Sequence, residues 1–106
     1  MHTITPIQLH DLINSAEDTP FLLDVREPNE FEYCHITGSQ LMPMHSIPAN
    51  IDQLPKNRPI VTICHHGMRS MQVAQFLLQN EFSDITNLTG GVHAWAQSVD
   101  SSMPTY

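Results

Sequence analysis

Residues 64–70 read C-H-H-G-M-R-S and bring a thiol, two imidazoles, a guanidinium and a hydroxyl within seven positions. Cys64 closes the β-branched run Ile60-Val61-Thr62-Ile63, and a helical pattern begins a few residues later. A strand, a tight loop and a helix N-terminus together aim backbone N–H groups at one point. Such a point attracts an anion through hydrogen bonds and the helix dipole. A thiol placed there is expected to ionise more readily than a free cysteine. Gly67 permits the close backbone approach that a curled loop needs, and Arg69 can brace the loop or hold an oxyanion. The chemistry implied is that of a thiolate nucleophile in an anion cradle. Taken alone, Cys64 reads more readily as an apolar thiol buried at a strand end than as a nucleophile. The surrounding C-x-x-G-x-R-S tips the reading towards the nucleophile.

The elements that must position this loop are legible as short strands alternating with helices. Thr5-Pro6-Ile7-Gln8 has the form of a capped helix start, with proline in the first turn and glutamine three residues after the cap. Leu9, Leu12, Ile13 and Ala16 then recur at helical spacing, and residues 17–20 break the helix. Strands are expected over 21–25, 40–42, 59–63 and 84–88. Helices are expected over 28–33, 69–79 and 92–97, with a further one over 49–54 in the otherwise irregular stretch 43–55. In the long helix, Val73, Phe76, Leu77 and Leu78 should face inward. Near-continuous apolar strands suit a parallel sheet covered on both faces, and the alternation argues for an α/β domain. Ligands in such sheets sit at the carboxyl ends of strands, where Cys64 stands.

The composition removes several classes of function. A chain of 106 residues fits one domain spanning 1–106. With 41% hydrophobic and 14% charged residues it should fold. The net charge is −7, and the only fixed cations are Lys56, Arg26, Arg58 and Arg69, which do not cluster. A nucleic-acid partner is therefore not expected. No apolar stretch approaches the ~20 residues that span a bilayer, and the N-terminus lacks the basic and apolar regions of a signal peptide. No membrane partner is expected. A cytoplasmic location, with both cysteines reduced, is the expectation.

Four blocks carry a resemblance: LLDVREPNEF (22–31), HITGS (35–39), PIVTICHHGMRS (59–70) and NLTGGVHAW (87–95). In this order they resemble the rhodanese family of sulfurtransferases, over roughly residues 4–95, and the tail VDSSMPTY resembles endings of its single-domain members. The resemblance implies a mostly parallel five-stranded sheet with helices on both faces. It also implies that Cys64 is the catalytic residue and carries a sulfane sulfur as a persulfide. The loop His65, His66, Gly67, Met68, Arg69 and Ser70 would surround that sulfur. Neither a cofactor nor a metal is implied. The partners would be a small donor such as thiosulfate and an acceptor such as cyanide, a thiol or a carrier protein. Asp24 and Arg26 match the family's D-x-R and are read, with His35, as structural groups near the site.

The spacing of loop residues separates this reading from two relatives on the same scaffold. Cys64 to Arg69 is C-x4-R, whereas phosphatases and arsenate reductases resembling this family use C-x5-R. The shorter cradle should fit one sulfur, and sulfur transfer leads phosphoryl or arsenate chemistry. A non-catalytic interaction domain is a second alternative, disfavoured because Cys64 and Arg69 are both present. Departures from the family pattern lie at His65, often a basic residue, at Cys34, often glycine, and at Glu81. His65 and His66 either assist the thiolate and donor or simply face solvent. Cys34 is read as structural rather than as a resolving thiol, and Glu81 as altering only a surface turn. A metal site drawn from Cys34, His35, Cys64, His65, His66 and His93 is not expected, because ligand pairs at zinc-site spacing are absent.

Overall fold

Apolar runs too short to be helices become neighbouring strands because parallel pairing lets both of their faces be buried. A computed structural model, describing residues 1–15 and 19–106, contains five strands. They are β1 (His2–Ile4), β2 (Phe21–Asp24), β3 (Gln40–Leu41), β4 (Ile60–Ile63) and β5 (Ile85–Leu88). Their order across the sheet is β1-β5-β4-β2-β3, and every pairing is parallel. β4 is central: Asp24 lies opposite Ile63 on one side, and Thr62 lies opposite Asn87 on the other.

Among the described residues four helices connect them, α1 (Pro6–Ser15), α2 (Pro28–Tyr33), α3 (Ile47–Asn50) and α4 (Met68–Leu78), and α5 (Gly91–Ser98) follows β5. On one face, Leu23, Val25 and Ile60 pack with Val73, Ala74 and Leu77 of α4, and Cys64 belongs to this cluster. On the other, Leu22, Val61, Ile63 and Leu88 pack with Leu9 of α1 and with Val92 and Trp95 of α5. Cys34 belongs to that second cluster. The sheet therefore separates the two thiols into different halves of the core.

The helix start at Thr5 forms as its residue types predict. The Gln8 amide donates to Thr5 Oγ1 at 3.2 Å, and the Thr5 amide donates to Gln8 Oε1 at 3.0 Å. Several expectations need correction. β1 carries no apolar run; its backbone pairs with β5 through His2↔Thr86 and Ile4↔Leu88. The helix expected over 49–54 is a four-residue turn over Ile47–Asn50, flanked by 3-10 turns, with Pro48 in its first turn and Ile47 and Leu54 as buried anchors. Leu12 is exposed, because α1 covers the sheet chiefly through Leu9. In α4, Val73 and Leu77 are buried, while Phe76 and Leu78 are half-buried at its edge. Ala16 and the expected helix break at 17–18 lie outside the described residues.

Candidate active site

Three chain segments meet at the carboxyl ends of the central strands. Leaving β4, the chain passes from Cys64 through a curled loop into α4, which begins at Met68. Gly67 sits just ahead of the helix at φ +103°, a conformation that L side chains rarely adopt. That turn brings the Gly67 N–H to 3.1 Å from Cys64 Sγ. One turn into the sequence of α4, the buried Ser70 places its hydroxyl 3.3 Å from the same sulfur. Cys64 itself is only 1% exposed. The sulfur thus has a backbone amide and a hydroxyl facing it, at the positive end of an eleven-residue helix.

Asn87 of β5 holds the loop from behind. Its Nδ2 donates to the Gly67 carbonyl at 3.1 Å, and its Oδ1 accepts from the Ser70 hydroxyl at 2.5 Å and the Thr62 hydroxyl at 3.2 Å. A buried amide with every polar atom engaged fixes both partners that face the sulfur. The loop after β5 then clamps the front: Val92 N donates to Cys64 O at 2.8 Å and His93 N to His65 O at 3.1 Å. Gly91 explains the second glycine of the G-G pair. At φ +61°, a Cβ there would collide with the Cys64 and His65 carbonyl oxygens.

The two guanidiniums beside the site, Arg26 and Arg69, are engaged with carboxylates. Arg69 makes two parallel bonds to Glu30, at 2.7 and 2.9 Å, tying the first turn of α4 to α2. This pairing raises the Arg69 pKa and holds the Glu30 carboxyl at about 2, Arg69 being the main cause in Glu30. Arg26 is fully buried on Asp24, with Nη2 at 2.7 Å from Oδ2, and also donates to the Cys34 carbonyl at 2.7 Å. Burial alone would lower its pKa, but the bonds to Asp24 and Tyr106 more than offset this and raise it. His35 stacks on Phe31, and its Nδ1 lies 2.8 Å from the Phe31 carbonyl, at the end of α2 rather than beside the sulfur.

The tail closes the group. The Tyr106 hydroxyl donates to Glu30 Oε2 at 2.8 Å and accepts from Arg26 Nη1 at 2.8 Å. Its ring lies flat on His65, with centroids 3.8 Å apart. Burial pushes the Tyr106 phenol up to about 12, so it remains a donor. Burial and the neighbouring His66 imidazole lower the His65 pKa. His66 is exposed, as is Met68 at 69%.

Of the residues singled out from the sequence, Cys64, Gly67 and Ser70 converge on the sulfur. Arg69 braces the loop, and Asp24, Arg26 and His35 support α2 and the strand end. Sequence reasoning missed Glu30, Asn87 and Tyr106. Asn87 opens the N-L-T-G-G block, which was a usable signal. Glu30 is one of two acidic residues on a short helix, and Tyr106 ends the VDSSMPTY tail 42 positions from the cysteine, where the sequence marks the tail but not the tyrosine's partners.

A family model described as Rhodanese-like domain matches residues 5–98. A sulfurtransferase from Allochromatium vinosum is 38% identical over 89 residues, covering 84% of this chain and 82% of its own. The thiosulfate sulfurtransferase GlpE of Stutzerimonas stutzeri is 31% identical, covering 94% and 89%. Two longer curated relatives also match nearly the whole chain, which spans only 38% and 27% of their lengths. Among solved structures, a rhodanese-like domain protein from Staphylococcus aureus superposes with a TM-score of 0.85 at 30% identity, covering 100% of this chain and 99% of that one.

Proposed function

This chain belongs to the rhodanese-like domain family, and we propose that it is a sulfurtransferase in which Cys64 carries the transferred sulfur. The observation that carries the reading is the pair of donors on one buried thiol, Gly67 N–H and Ser70 O–H. In the forward half-reaction the Cys64 thiolate attacks the outer sulfur of a donor such as thiosulfate. The donor's S–S bond breaks, sulfite leaves with the electron pair, and a Cys64 persulfide anion remains. An acceptor nucleophile, such as cyanide, a thiol or a carrier protein, then attacks the outer sulfur and returns the electron pair to Cys64. No external oxidant or reductant enters. Hydrogen bonds to a charged acceptor are worth about 1.5–3 kcal/mol each, so the two donors stabilise the negative charge that returns to Cys64 Sγ when the acceptor takes the outer sulfur.

Arg69 acts here as a brace. Its guanidinium is already matched bidentately to Glu30, and binding the departing sulfite would require that pair to open. Cys34 stands outside the cycle, since it lies in the other half of the core.

The test is intact mass. Thiosulfate should add one sulfur to the wild type and to Cys34→Ala, and cyanide should remove it as thiocyanate. Cys64→Ser should gain nothing, because a neutral hydroxyl is a poor nucleophile. Hydrolysis of an aryl phosphate should be negligible beside sulfur transfer. A Cys64→Ser protein that loads sulfur and turns over normally would overturn the assignment.

A further inference from the structure

We propose that His65, His66 and His93 form a binding site for one borderline divalent transition metal of the zinc class. Three observations carry it. First, each residue offers a ring nitrogen, and the three nitrogens lie within 4.8 Å of one another. Second, His65 Nε2 and His93 Nδ1 are buried and have no hydrogen-bond partner. A buried polar nitrogen left unpaired is costly, and ligation would satisfy it. Third, the backbone that presents the rings is tied down, with Val92 N on Cys64 O and His93 N on His65 O.

Consecutive histidines on a strand would point to opposite faces. Here they occupy the curled loop, and their ring centroids are only 3.9 Å apart. His93 completes the group from the first turn of α5, at 5.0 Å from His66 and 5.9 Å from His65 by ring centroid. Ligand pairs at zinc-site spacing are absent from the sequence, and the curled loop gathers the three histidines in space instead. Zn–N bonds of about 2.0–2.1 Å imply nitrogens roughly 3.3 Å apart in a tetrahedron. Ring rotation must therefore draw the widest pair together by about 1.5 Å, a side-chain adjustment that leaves the backbone clamp intact.

The donor set selects the ion. Three imidazoles with no carboxylate suit Zn²⁺, Co²⁺, Ni²⁺ or Cu²⁺, and they exclude Ca²⁺ and Mg²⁺, which demand oxygen. Three protein ligands leave the fourth tetrahedral position open to water or an exogenous thiolate. The site stands independently of sulfur transfer.

The experiment uses untagged protein with both thiols removed, Cys34→Ser/Cys64→Ser, so that sulfur ligation cannot mimic the site. Titration with Zn²⁺ alone should show one saturable equivalent. Co²⁺ should give tetrahedral d–d absorption without sulfur charge transfer. His66→Gln and His93→Gln should each weaken binding at least tenfold, while His45→Gln, 74% exposed and elsewhere on the surface, should leave it unchanged. His66 is exposed, so its replacement does not threaten the fold. Absence of a saturable equivalent, or binding that survives both histidine changes, would overturn the proposal.

Discussion

Ser70→Ala isolates one of the two donors on the sulfur. The hydroxyl is fully buried, 3.3 Å from Cys64 Sγ and 2.5 Å from Asn87 Oδ1. Its single proton is shared between Asn87 Oδ1 and Cys64 Sγ. The contact is long and the proton is shared, so the loss should sit at the low end for a charged acceptor, about 1.5 kcal/mol. That corresponds to roughly a tenfold slower reaction. The structural cost should be smaller, about 1 kcal/mol, because Asn87 Oδ1 keeps the Thr62 hydroxyl at 3.2 Å. The assay is the single-turnover rate of sulfur loading from thiosulfate, read by intact mass, alongside a denaturation curve. A loading rate within twofold of wild type in folded protein would show that the hydroxyl only fills space, and the reasoning would fail.

Glu30→Gln should destabilise by roughly 1–2 kcal/mol at neutral pH, between the values for exposed and buried ion pairs. Glu30 is lowered from 4.5 to about 2, so its contribution is full above 4.5 and fades as pH falls towards 2; a gap between the two proteins that widens in acid would contradict this. Gly91→Ala should cost about 3 kcal/mol or more from the left-handed φ and the collision with Cys64 O and His65 O. Sulfur loading should be largely lost, and retained stability with normal loading would refute the clamp. Glu81→Gly should stabilise by about 0.5–1 kcal/mol, because exposed Glu81 holds φ +73°. Its 3.7 Å pair with Lys56 is a surface contact of little worth. The denaturation midpoint should rise with an unchanged slope.

What could be read in advance follows from how local the physics is. β2, β4 and β5 are visible because their burial demands apolar residues, and α1 is visible because Thr5, Pro6 and Gln8 cap it through neighbours three positions apart. β1 was invisible because main-chain pairing with β5 specifies it, and that bond carries no side-chain signature. Cys64 and the loop that curls around its sulfur were legible as a contiguous motif. Their supports were not. Asn87, Glu30 and Tyr106 act across 17, 39 and 76 positions, and only the folded sheet brings those distances to zero. The D-x-R pair gave half of its meaning: Arg26 to Asp24 is local, whereas Arg26 to Tyr106 spans 80 positions. The histidines show the same boundary, since spacing along the chain argued against a shared site and the curled loop gathers them nonetheless.

The placement of charge explains why the loop is built from neutral donors. The chain has four fixed cations against eleven carboxylates. Arg26 is spent on Asp24, Arg69 on Glu30, Lys56 on Glu81, and Arg58 on the Thr19 and Pro20 carbonyls. The Asp24–Arg26 and Glu30–Arg69 pairs beside the site cancel internally. The groups that face the sulfur are instead dipoles: the Gly67 amide, the Ser70 hydroxyl and the end of α4. Of these, hydrogen bonds at about 1.5–3 kcal/mol each outweigh a helix terminus at about 0.3–1 kcal/mol. Donor geometry therefore matters more here than net field, and geometry is what Asn87, Gly91 and the Glu30–Arg69 brace enforce. A free cation near Cys64 would strengthen attraction for any anion, whereas the Gly67 amide at 3.1 Å and the shared Ser70 hydroxyl at 3.3 Å act on that one atom.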